Sequence, residues 1–215
     1  MEKQEIRTFG RRHGKKLSAR QMRLIDRVLP AVSPKNIKNT GNIILEIGFG
    51  AGEHLRELAG KHRDATIIGA EPFMNGVASL LSAITDENTD KILPEFENIR
   101  IWPDDVRELL RETEINFDTI WVLHPDPWPK AKHEKRRLLS ADFLTLLSRR
   151  LRSGGRIIIG TDHWEYFDWI VDQARKTDLD INQADLETIR TRYQIKNKAE
   201  TTAPKYLILT TNTNH

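Results

Sequence analysis

Residues 43–52, Ile43 Ile44 Leu45 Glu46 Ile47 Gly48 Phe49 Gly50 Ala51 Gly52, set four apolar side chains around one acid and then place glycine at every second position. An apolar run that empties at once into glycines predicts a buried parallel strand followed by a tight turn. Glycine suits that turn because it tolerates positive φ and leaves room for a ligand to touch the backbone. Alternation of strand and helix then continues. A helix is expected over 52–62, a strand over 65–70, a helix over 73–85 with Val77, Leu80, Leu81 and Ile84 on one face, and a short strand at Ile99–Trp102. Pro103 Asp104 Asp105 opens the next helix, and Phe117–Leu123 reads as the fourth strand. A helix running to about Leu151 carries Leu138, Leu139, Phe143 and Leu147 on one stripe, Gly154 and Gly155 end it, and Arg156–Thr161 is the fifth strand.

On either side of this core the pattern is less regular. Leu17–Leu29 has apolar residues at mixed spacings of three and four, with Ser18 as a cap, so it predicts a helix stopped by Pro30 that presents Arg20, Arg23 and Arg27 outward. Residues 1–16 read as a flexible basic arm and 17–215 as one domain. After Asp162 a helix is expected from Trp164 to Thr177, then closing strands at 188–193 and 204–211 with an antiparallel member. The fold class is therefore α/β: a doubly wound, mostly parallel seven-stranded sheet with helices on both faces. Such sheets bind ligands beyond the C-terminal ends of their strands, and Gly48, Glu71, Asp105, Asp126 and Asp162 all fall there.

Composition removes several function classes. Cysteine is absent, which excludes disulfides and thiolate metal sites, and the seven histidines are too scattered to suggest a metal centre, so no metal is expected. The charged opening Met1–Glu5 and the lack of any long apolar run point to the cytoplasm and to no membrane partner. Net charge is only +3, but residues 1–30 hold nine Lys or Arg against three acids, and a second basic cluster runs from Lys130 to Arg137. Two basic clusters around a glycine turn suit a polyanionic substrate.

The candidate chemistry begins with Glu71, nineteen residues beyond Gly52, whose carboxylate can accept hydrogen bonds from both hydroxyls of a ribose. The third glycine comes one residue early for a dinucleotide fingerprint, and Glu53 in the first helical turn would oppose a pyrophosphate. The loop Pro125 Asp126 Pro127 Trp128 Pro129 is the second feature. Three prolines in five residues fix φ repeatedly and make a rigid platform for one carboxylate and one large aromatic. Two plainer readings stand beside this one: Asp126 as the cap of a following helix, and Trp128 as a lid on the sheet edge.

Glu46–Gly52 resembles motif I of the S-adenosylmethionine-dependent methyltransferases. The run from Leu123 through His124 Pro125 Asp126 Pro127 Trp128 Pro129 Lys130 to Leu138, together with Phe9 Gly10 Arg11 Arg12 His13 Gly14 and Thr161 Asp162, resembles the signature of the bacterial tRNA (guanine-N7)-methyltransferases. That resemblance spans about Thr8 to Leu209. It implies a Rossmann-like class I methyltransferase with S-adenosyl-L-methionine as cofactor, and guanine 46 in the variable loop of tRNA, not DNA, as target. It assigns Glu46, Gly48, Gly50, Gly52, Glu71, Asp105 and Asp126 to the cofactor, Asp104 being the competing register for Asp105. Asp126 is also the implied catalytic residue, and Lys130, Asp162, Thr191, Arg192, Tyr193 and Gln194 are implied at the substrate. Lys132, His133, Lys135, Arg136, Arg137, Arg11 and Arg12 are implied on the RNA. One position departs from the family, which usually carries Glu where this chain has Gln194; a shift of six residues would offer Glu200 instead. Glutamine still accepts through its carbonyl but brings no charge. A monomer or weak homodimer is expected. A methyltransferase acting on a small molecule or protein, and a non-catalytic RNA-binding protein on the same scaffold, are the competing readings.

Overall fold

Strand β1 (Ile43–Ile47) is buried at every position, as a central strand covered on both faces must be. The computed structural model describes residues 9, 10, 12, 14–184 and 204–211, and the expected substrate segment Thr191–Gln194, Glu200 and Arg11 lie outside them. The elements that follow β1 are α2 (Glu53–Lys61), β2 (Thr66–Ala70), α3 (Met74–Ile84), β3 (Ile99–Trp102), α4 (Val106–Glu112) and β4 (Phe117–Leu123). Then come α5 (Ala141–Ser148), β5 (Leu151–Thr161), α6 (Trp164–Ala174), β6 (Leu179–Ala184) and β7 (Lys205–Thr211), with α1 (Ala19–Arg27) ahead of them all. The seven strands form one sheet in the order β3-β2-β1-β4-β5-β7-β6. β2 and β3 pair parallel, as do β4 and β5, whereas β7 runs antiparallel to both β5 and β6. This is the Rossmann-like arrangement of class I methyltransferases. Among the described residues no helix is long and apolar enough to cross a membrane.

The described chain divides into two compact units, one holding the residues up to Gly41 with Ile47–Ile115, the other Asn42–Glu46 with the residues from Asn116 onward. In the first, Ile67, Ile68, Leu80, Leu81, Ile99 and Leu109 are wholly buried. Ser18 caps α1 in a reciprocal capping box with Gln21, which is why that helix starts at Ala19. It ends at Arg27, and Pro30 sits inside a 3-10 turn, Leu29–Val32, beyond it. Arg20 is not simply presented outward: its guanidinium donates to Thr85 Oγ1 at 2.9 Å and to Asp86 O at 3.2 Å, and Arg23 Nε meets Asp90 Oδ2 at 2.6 Å. In the second unit Phe117, Ile120, Leu144, Leu147, Ile157, Tyr166 and Leu207 form the core.

The largest departures from expectation are three. Ala131–Arg136 is a 3-10 turn, and the α-helix begins only after Ser140, whose hydroxyl accepts from Phe143 N. β5 starts at Leu151 rather than Arg156, with a register shift against β4 and Gly154 at φ +75° absorbing the irregularity. β6 occupies 179–184, where no strand was expected, and the strand expected at 188–193 lies outside the described residues.

Candidate functional site

In the first unit the glycine turn after β1 has the left-handed conformation that its sequence demands: φ is +76° at Gly48, +59° at Gly50 and +84° at Gly52. A Cβ at Gly48 or Gly50 would meet nothing within 4 Å, so the backbone there is open to a ligand. Glu71, directly after β2 and 8% exposed, braces the turn. Its Oε2 accepts from Gly50 N and its Oε1 from Phe73 N, both at 2.8 Å. Gly76 in α3 packs directly against that turn. A Cβ there would lie 2.3 Å from Gly50 O, so only glycine lets the helix reach the turn. An isolated glycine inside a helical pattern was the available signal.

Asp104 and Asp105, both just beyond β3, are sorted by their surroundings. Asp105 is 7% exposed and caps α4 through Arg107 N at 3.0 Å, while Arg107 Nε and Nη2 reach its two oxygens at 2.8 and 2.7 Å. Asp104 is far more exposed and pairs with the guanidinium of Arg12. The described part of the basic arm continues onto α3: Met74 N donates to Arg12 O, Gly14 N to Asn75 Oδ1 at 2.7 Å, and Asn75 Nδ2 to Lys15 O at 2.7 Å. Asp105→Ala is therefore expected to cost about 1–3 kcal/mol of stability, from the lost cap and an orphaned guanidinium, while Asp104→Ala costs less than about 0.5 kcal/mol. Urea unfolding of the two variants checks the contrast.

In the second unit Glu46 is 3% exposed within β1. Beyond β4, His124 has φ +47°, its amide donates to Gly160 O at 2.7 Å, and its Nδ1 lies 3.6 Å from Asp162 Oδ1. Burial lowers the His124 pKa, against an opposing pull from Asp162. The two residues directly follow separate strands, β4 and β5, so their pairing is not visible as a spacing in the sequence. Asp126 is exposed and is not a helix cap: the 3-10 turn has Lys130 at its N-cap without a side-chain bond, and α5 is capped by Ser140. Trp128 has φ +41°, a conformation costing a non-glycine residue about 1–2 kcal/mol. Its ring lies 5.0 Å from the Arg136 guanidinium and meets His133 edge-on at 5.8 Å. Arg137 Nε donates to Pro127 O at 2.9 Å. Lys130, Lys132 and Lys135 are exposed around this loop.

A family model described as "Putative methyltransferase" matches residues 40–205. A tRNA (guanine-N(7)-)-methyltransferase of Granulibacter bethesdensis is 38% identical over 175 residues, covering 79% of this chain and 77% of the relative. One from Caulobacter vibrioides is 32% identical over 222 residues, covering 95% of both chains. Among solved structures, a 16S rRNA (adenine(1408)-N(1))-methyltransferase with cosubstrate SAM aligns at TM-score 0.53 and 15% identity, over 94% of this chain and 95% of that one. At that identity the likeness is one of fold.

Proposed function

Because this chain belongs to the tRNA (guanine-N7)-methyltransferase family, we propose that it transfers a methyl group from S-adenosyl-L-methionine to N7 of guanine 46 in the variable loop of tRNA. The observation that carries the reading past methyl transfer in general is the proline-clamped loop, with Asp126 exposed on it and serving no helix, followed by exposed Lys130, Lys132 and Lys135. A methyltransferase for a small molecule would have no use for those lysines.

The residues present fit the cofactor. In the first unit Gly48 and Gly50 offer an open backbone beside the carboxylate of Glu71, the group type that accepts from ribose hydroxyls; in the second unit the buried Glu46 carboxylate suits a cationic methionine half. Asp105 is committed to α4 and Arg107, so its part is to hold that strand end, and Asp104, half-buried and paired with Arg12, is the more accessible acid of the two. When bound, S-adenosyl-L-methionine supplies a methyl group made electrophilic by its sulfonium.

Guanine N7 carries an exposed lone pair and no proton, so no residue has to act as a base before it attacks. What the protein must do is align the purine and offset the positive charge that grows on it. Asp126 does both if it accepts hydrogen bonds from N1–H and the exocyclic amine, since its negative charge then sits against the purine as it becomes cationic. Lys130 and Asp162 hold the substrate beside it, and Lys132 and Lys135 take phosphates while the base is drawn from its tertiary pairing.

Labelled-methyl transfer to a tRNA transcript carrying guanine 46, and to the same transcript with adenine there, tests the proposal. Transfer to the first and none to the second is expected; equal transfer to both would refute the position. Lys132→Ala with Lys135→Ala is expected to flatten the dependence of log K for tRNA on log salt by up to about 2 units and to leave cofactor affinity unchanged. Filter binding across a salt series measures it.

A further inference from the structure

We propose that Arg137 is a positioning residue for Asp126: its guanidinium latches the Pro125–Pro129 loop onto α6 and does not serve as a phosphate contact. The inference rests on the role given to Asp126 above. Pro125, Pro127 and Pro129 have no N–H, so among these five residues only Asp126 and Trp128 could tie the loop down with backbone donors. Anchoring has to come from outside donors to the loop's carbonyls. Arg137 supplies them: Nε donates to Pro127 O at 2.9 Å, and Nη2 reaches Trp128 O at 3.5 Å. These are the carbonyls of the two residues directly after Asp126.

The other surfaces of the guanidinium are also in use. Its carbon lies 4.9 Å from the centroid of the Trp169 ring and 5.5 Å from that of Tyr166, both on α6. Trp169 in turn donates from Nε1 to Glu134 Oε1 at 3.0 Å, which ties the 3-10 turn bearing Arg136 to the same helix. Tyr166 is wholly buried, and its phenol pKa is pushed far up by burial, with the charge of Asp126 adding to the rise and that of Arg137 opposing it. A planar fork that stacks on aromatic rings while donating to two carbonyls is work for arginine; a lysine ammonium has neither the plane nor the spread of donors. The loop that Arg137 holds includes Trp128 in its left-handed conformation, which needs outside contacts to persist.

The test compares Arg137→Ala, Arg137→Lys and Trp169→Leu in the full chain, with urea unfolding to confirm that each variant folds. Single-turnover methyl transfer at saturating tRNA and cofactor is expected to fall about 10- to 100-fold in Arg137→Ala, the scale expected when a reacting group is misplaced. Arg137→Lys should not restore it, and Trp169→Leu should slow transfer as well. The salt slope of tRNA binding should match wild type in all three. A slope reduced by about one unit with the transfer rate retained would make Arg137 a phosphate contact and overturn the inference. Wild-type rates in Arg137→Lys and Trp169→Leu would overturn it too, even if Arg137→Ala did not fold. Failure of the wild-type protein to methylate tRNA would instead refute the proposed function, which separates the two claims.

Discussion

Asp126→Asn is expected to lower the single-turnover rate of methyl transfer by about 10²- to 10³-fold while tRNA affinity moves by less than about threefold. The substitution keeps the shape of the side chain and removes its charge. If the carboxylate serves chiefly to offset charge that grows on the purine during transfer, its loss is felt in the rate and hardly at all in ground-state binding. The geometry makes this a clean experiment. Asp126 is exposed, caps neither the 3-10 turn nor α5, and sits between two prolines, so the variant should fold like wild type. A rate within about twofold of wild type, only about 0.4 kcal/mol, would remove the carboxylate from the transition state.

Glu71→Ala should weaken S-adenosyl-L-methionine binding by about 5- to 150-fold, or 1–3 kcal/mol, if, as proposed, its carboxylate accepts hydrogen bonds from two ribose hydroxyls. A second cause acts in the same direction. The carboxylate also fixes the amides of Gly50 and Phe73, so alanine leaves the glycine turn without its brace and the open backbone less well ordered for a ligand. Glu71→Gln separates the two, since its amide oxygen can still accept from one of those N–H groups. Calorimetry should place it between wild type and Glu71→Ala; cofactor affinity unchanged in both variants would take Glu71 out of the site.

The α/β alternation is legible because buried parallel strands are short, predominantly apolar runs, and Ile43–Ile47, Thr66–Ala70, Ile99–Trp102 and Phe117–Leu123 all emerge close to where their side chains predict. β6 was missed because Leu179 and Ile181 alternate with Asp180 and Asn182 over only a few residues, next to the end of a helix. The 3-10 turn at Ala131–Arg136 was merged with α5 because a leucine stripe resumes at Leu138. Ser140, followed by Ala141 Asp142 Phe143, carried the N-cap signal that would have split them.

At the candidate site, residues bound to their strand ends by short chain segments were readable, since a strand's end and the next few residues are fixed together. Gly48, Glu71 and Asp162 are of this kind. The surroundings of Arg137 were not, because its guanidinium lies over Tyr166 and Trp169, some thirty residues further on, and a basic run in sequence looks the same whether its members face phosphate or an aromatic helix. The pairing of Arg12 with Asp104, which links the basic arm to the end of β3, was hidden for the same reason.

The central claim is the identity of the methylated atom. Unmodified total tRNA incubated with the protein and S-adenosyl-L-methionine, then cleaved chemically at N7-methylguanine, reads it directly. The account predicts one new cleavage, at guanine 46, in tRNAs that carry guanine there. Methylation of tRNA without any such cleavage, or cleavage at another guanine, would contradict it.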